Sequence, residues 1–173
     1  MTYHSPSITV AAALAAVALA GPLVLTSGPA AAASGAAPSM SQTASHAPQP
    51  RTRAGAQAAA AEAFDDYAAG DYGLFWDRWS ATSKKVVSRA NYVKRFRLCT
   101  PVSEGLPFVI KKVAVSGNRA RVRATRLGIF FSYDFVYERG AWRYVLPAEV
   151  AREYRTKTVT QIVREERAAG ACE

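Results

Sequence analysis

Three two-residue turns in one stretch of chain constrain this fold more than any other feature. Gly117-Asn118, Leu127-Gly128 and Arg139-Gly140 punctuate a run in which apolar and polar residues alternate with period two. The segments between them, 108–116, 119–126, 129–138 and 141–146, read as four strands. Each turn sets a register: Ser116 opposes Arg119, Arg126 opposes Ile129, and Glu138 opposes Ala141. Along those ladders one face collects Val113, Val115, Ala120, Val122, Ala124, Phe131, Tyr133, Phe135, Tyr137, Trp142, Tyr144 and Leu146. The other collects Lys112, Ala114, Arg119, Arg121, Arg123, Ser132, Asp134, Val136, Arg143 and Val145. A slip of one residue at any turn would mix the two sets. Three turns that agree predict an antiparallel meander with one buried face.

Before Pro101 the period is that of a helix. Residues 57–69 place Ala60, Phe64, Tyr67 and Ala68 on one face and stop at Gly70. Asp71 is positioned to cap a short helix over 72–80 that carries Phe75, Trp76 and Trp79. A further helical turn is expected over 83–87, and Ser88 reads as the N-cap of a helix over 89–98 with Tyr92, Val93 and Phe96 as its stripe. After the strands, Pro147 can start a helix with Val150 and Tyr154 inward, and residues 160–169 form a last one ending at Gly170. The class is α+β: N-terminal helices packed on a curved, cone-like four-stranded antiparallel sheet, with C-terminal helices.

The chain ahead of this pattern has a different character. Val10–Ala20 is an apolar run of 11 residues, the length of a signal-peptide core and short for a membrane span of about 20 residues. Gly21-Pro22 breaks it, and Ala31-Ala32-Ala33 offers a cleavage site, so residues 1–33 read as a signal peptide for secretion. The flank before the run has no Lys or Arg, and a retained N-terminal membrane anchor is the alternative. Residues 34–55, rich in Ala, Ser, Pro and Gln, read as a disordered linker, because they cannot bury enough surface to offset their ordering entropy. The single domain is then 56–173. Both histidines, His4 and His46, precede it. A domain without His argues against a Ser-His-Asp triad, a Cys-His pair and a His-ligated metal. No cofactor is expected.

The order of elements resembles the nuclear-transport-factor-2-like superfamily, which includes SnoaL-like and ketosteroid-isomerase-like proteins. The resemblance is carried by AAAEAFDDYAAGDY, WDRWSATSKKVVSRANYVKRF, VAVSGNRARV and FVYERGAWRYV, over about residues 57–147. The chain looks like the superfamily's small secreted or lipoprotein-borne members of unknown function. The resemblance implies helices first, then a curved sheet wrapped around the first helix. In the superfamily's isomerases a Tyr and carboxylates line the cone. Here the inward sheet face has no carboxylate, since Asp134 faces outward across from Arg121, and no catalytic residue is carried over. Asn91 stands where the family has an acid three residues after the Ser cap.

Three constellations remain. Inward Tyr133, Tyr137, Tyr144 and Trp142 would line the cone and orient a small apolar ligand, or they simply fill an aromatic core. Outward Lys112, Arg119, Arg121, Arg123 and Arg143 form a basic face, in a stretch (78–126) with thirteen basic residues and one acidic residue. That face suits anionic lipid headgroups or envelope polymers, or is only a solvated surface; with no aromatic interleaved, nucleic acid is disfavoured. Cys99 and Cys172 read as a disulfide in an exported chain, with two free thiols as the alternative. The expectation is a secreted binding domain without enzymatic activity, its partner unknown. The rivals are a small-molecule enzyme acting inside the cone without His, and an envelope protein held to anionic polymer. A homodimer is compatible with all three.

Overall fold

The computed structural model describes residues 48–172. The expected export run, its cleavage site and the linker up to residue 47 lie outside them. No helix among the described residues is long and apolar enough to cross a membrane. The elements run α1 (Arg53–Ala68), α2 (Tyr72–Asp77), α3 (Ala81–Lys84), α4 (Arg89–Leu98), β1 (Val109–Ser116), β2 (Arg119–Arg126), β3 (Ile129–Glu138), β4 (Ala141–Val145), α5 (Ala148–Thr156) and α6 (Val159–Ala168). The strands form one antiparallel sheet in the order β1-β2-β3-β4. The class is α+β, as expected.

All three turns hold the predicted register: Ser116 pairs with Arg119, Arg126 with Ile129, and Glu138 with Ala141. Leu127 and Arg139 take up positive φ, 52° and 50°, each ahead of a glycine at 77° and 79°. Two left-handed residues in succession match the twist of the flanking strands. One departure is a bulge in β1 between Ile110 and Lys112, which leaves Lys111 as the extra residue. The period-two pattern alone predicts a regular strand there.

The core follows from the small residues of α1. Ala56, Ala59, Ala60 and Ala63 recur at helical spacing and are each at most 4% exposed. Against them the sheet sets Val122, Ala124 and Phe135, which are 1% exposed or less. An alanine stripe lets the helix backbone approach the strands closely, so the sheet's aromatic residues fill the remaining space.

Residues 48–55 correct the expected linker boundary. Gln49 N–H donates to the Gly140 carbonyl at 2.8 Å, and Thr52 caps α1 by accepting from Gly55 N–H at 3.2 Å. A side chain at Gly55 would meet the Pro50 carbonyl oxygen at 2.0 Å. The composition there is that of a linker, but its partners lie about ninety residues downstream, where local composition cannot reveal them.

Some helix ends differ from expectation: α1 starts at Arg53, and α2 stops at Asp77, leaving Trp79 outside it in a bridge to Tyr144. Ser88 accepts from Asn91 N–H at 3.3 Å, as expected. Asp71 makes no capping bond; after Gly70 at φ 81° its ψ is 55°, away from the extended backbone a cap requires. Ser80 instead caps α3, accepting from Ser83 N–H at 3.2 Å, so this turn starts earlier than expected. Thr158 and Gln161 form a reciprocal capping box that starts α6 one residue earlier than expected.

Cys99, just past α4, and Cys172, beyond α6, lie at disulfide distance with Cα atoms 5.2 Å apart. The enclosed loop spans 73 residues, for which chain entropy gives about 4 kcal/mol. Cys172→Ser should lower the unfolding free energy by about 2–5 kcal/mol in urea melts. Alkylation of both thiols without reductant would contradict the bond.

Candidate functional site

The alanine stripe ends where α1 turns to large residues. Beyond Ala63, Phe64 and Tyr67 face inward, and the space between helix and sheet is no longer closed by backbone proximity. A cavity of about 430 Å³ opens there. Its walls are Phe64 and Tyr67 from α1, Tyr92, Arg95 and Phe96 from α4, and Tyr133 and Tyr144 from β3 and β4, with Trp79 between α2 and α3. Leu127, Ile129 and Phe131 line it at the β2–β3 turn and are 70%, 59% and 40% exposed. Phe131 keeps the inward side expected of it, opposite Ala124, and edges the cavity instead of filling the core.

Trp79 is held by the backbone on either side of it. Tyr144 N–H donates to the Arg78 carbonyl at 3.0 Å, and Ser80 N–H donates to the Tyr144 carbonyl at 2.8 Å. The indole is 1% exposed, with Tyr92 at 4.6 Å between ring centroids. Its Nε1–H has no acceptor among the described residues. Leaving such a buried donor unmet costs about 1–3 kcal/mol. Sequence reading placed Trp79 on a helical stripe but gave no sign of the missing acceptor.

Two arginines reach the same space. Arg126 closes β2 on its inward column, in line with Ala120, Val122 and Ala124, and is 8% exposed. It donates through Nε to the Leu106 carbonyl at 3.1 Å and through Nη2 to the Ser103 carbonyl. Its guanidinium lies 4.6 Å from the Phe108 ring centroid and 5.5 Å from that of Tyr67, so carbonyls and ring faces replace its water. Sequence reading missed Arg126 on the inward face, although the period-two pattern puts it there. Arg95 pairs with Glu166 of α6, with Nε 3.1 Å from both carboxylate oxygens and Nη2 also donating to Oε1, and its Nη1 donates to the Tyr154 hydroxyl at 3.0 Å. Glu166 is the carboxylate that lines the cavity, and this pairing occupies it. Asp65 is exposed and Asp66 binds Arg78.

The aromatic residues chosen from the sequence divide into two sets. Tyr133 and Tyr144 lie on the cavity with ring centroids 6.1 Å apart. Tyr137 and Trp142 do not line it, which corrects their assignment. The Tyr137 hydroxyl donates to the Gln49 carbonyl at 2.6 Å, and Trp142 Nε1–H donates to the Pro50 carbonyl at 3.1 Å. Both share the inward sheet face but sit at the end that anchors the chain entering α1.

Lys112, Arg119, Arg121 and Arg123 are exposed on the outward face, and Arg143 is half-buried. Arg121 binds Asp134 through two bonds of 2.8 and 3.1 Å. Arg123 lies 5.3 Å from the centroid of Phe130, which is 60% exposed. An aromatic does therefore interrupt the basic face, contrary to the expectation.

No family model matches this chain, and no curated protein matches it. Fold and cavity define it as an α+β domain with a ligand-sized, aromatic-lined interior.

Burial pushes the Tyr133 phenol up to about 12, with Tyr67 adding to the rise and Arg126 opposing it. The folded state then keeps a proton that the unfolded chain releases near pH 10, so this contribution to stability is intact below about pH 10 and is lost as the pH climbs towards 12. In an ultraviolet titration, Tyr133→Phe should remove one ionisation step near pH 12 and leave the rest of the curve in place. Loss of a step near pH 10 instead would contradict the placement.

Proposed function

We propose that this chain is a secreted small-molecule-binding domain of the nuclear-transport-factor-2-like type, binding its ligand without chemical turnover. The helix-first order, the four-stranded meander and the close packing of α1 on the inward face support that fold assignment. The ligand is a compact, largely apolar molecule carrying one hydrogen-bond acceptor. Its apolar body packs against the rings of Tyr92, Tyr133 and Tyr144, and its acceptor meets the Tyr133 hydroxyl.

The enclosed, aromatic-lined interior is the observation that carries this reading. Volume supports it too, since about 430 Å³ falls within the ordinary range for small-molecule sites. The hydroxyls of Tyr92, Tyr133 and Tyr144 make no hydrogen bond to another described residue, so these donors can turn to a ligand. Binding is favoured over turnover by the state of the ionisable groups. Burial raises the phenols of Tyr92 and Tyr144, which makes them poor bases, and Arg95 holds Glu166.

The naphthyl ketone prodan tests the reading, because its emission reports both an apolar site and a hydrogen bond to its carbonyl. Titration should give a saturable one-to-one blue shift. Val150→Trp, at the wall, should abolish it, while Arg119→Glu on the outer face leaves it unchanged. Tyr133→Phe should weaken prodan by about 3–10-fold, the worth of one hydrogen bond, and spare a naphthalene without the carbonyl. A shift that does not saturate, or one indifferent to Val150→Trp, would refute the interior site.

A further inference from the structure

We propose that the β2–β3 turn is a lipid-docking tip that inserts into an anionic membrane surface and presents the cavity to it. The turn extends past the end of β4, at the free edge of β3. β4 pairs only with Asp134–Glu138, so the first half of β3 has no strand on that side. On this stretch Leu127, Ile129, Phe130 and Phe131 are 70%, 59%, 60% and 40% exposed. Four large apolar side chains in five consecutive residues form a cluster, unlike the scattered apolar residues of an ordinary surface.

Charge identifies what covers this cluster. Arg123 lies over the Phe130 ring at 5.3 Å, and Lys112 pairs with Arg123 across the ladder. The bulge adds exposed Lys111 beside them. Asp134, the acid opposite Arg121, is already bound to that arginine. An apolar tip with a basic collar complements a surface that is anionic outside and hydrocarbon inside. A second copy of this chain meeting tip to tip would instead oppose two basic collars, which repel. Leu127, Ile129 and Phe131 also line the cavity, so insertion places its opening at the lipid. The inference goes beyond ligand binding, and either can fail without the other.

The test uses the full chain with Phe130→Cys labelled by the environment-sensitive fluorophore NBD, the native cysteines remaining paired. The control carries the label at Asn118→Cys, in the turn at the opposite end of the strands. Phosphatidylcholine vesicles containing phosphatidylglycerol should raise emission several-fold at residue 130 and leave residue 118 in water. Pure phosphatidylcholine vesicles should give little change, and high salt should reduce the response. Adding Lys112→Glu and Arg123→Glu to the labelled chain should weaken binding at least ~10-fold. Because both side chains are exposed, its thermal melt should stay unchanged. No rise at residue 130, an equal rise at residue 118, or an equal response to neutral vesicles would overturn the proposal. So would a rise without lipid that tracks dimer formation in sedimentation, which would assign the tip to a second copy.

Discussion

The rest of the structure depends on how closely α1 approaches the sheet. Four buried alanines bring the helix backbone against β-strand side chains over its first turns, and a change to Phe64 and Tyr67 ends that approach. One helix thus sets a closed end and an open end. At the closed end Trp142 and Tyr137 bind the chain entering α1. At the open end the same sheet face carries Tyr133, Tyr144 and Arg126 around a cavity. A larger side chain at any of these alanines would force strain typical of overpacked cores, about 1–3 kcal/mol.

The open end would be a weakness without cross-bracing. Two ties between α4 and the C-terminal segment provide it: the Cys99–Cys172 pair and the Arg95–Glu166 ion pair. Burial works against the charge on Arg95, yet its hydrogen bonds to Glu166 and Tyr154 hold it firmly protonated. The pair also occupies the cavity's carboxylate, so a structural need removes a group that could have acted as a base. Arg126 similarly spends its donors on the Ser103 and Leu106 carbonyls, fixing the loop that leads into β1.

The sheet was legible in the sequence because its determinants are local. Turn residues and period-two alternation lie within a few positions of one another, and they gave the register of Arg121 against Asp134 without error. What was not legible depends on distant partners. Gln49 and Pro50 look like linker until Tyr137 and Trp142 supply their hydrogen bonds. Tyr137 and Trp142 share a sheet face with Tyr133 and Tyr144, and only the position of α1 separates the two sets. Trp79 lacks an acceptor for a reason no spacing rule contains, since a missing partner leaves no mark in the sequence. Arg126 was the avoidable miss: the alternation of β2 already pointed it inward, and its charge obscured that.

An open interior between α1 and the strands is the central claim, and xenon tests it most directly, because the gas enters apolar cavities and scatters X-rays strongly. Crystals pressurised with xenon should show density among Trp79, Tyr92 and Tyr144. Absence of xenon density beside these rings would mean that the aromatic residues fill the interior and leave no room for a ligand.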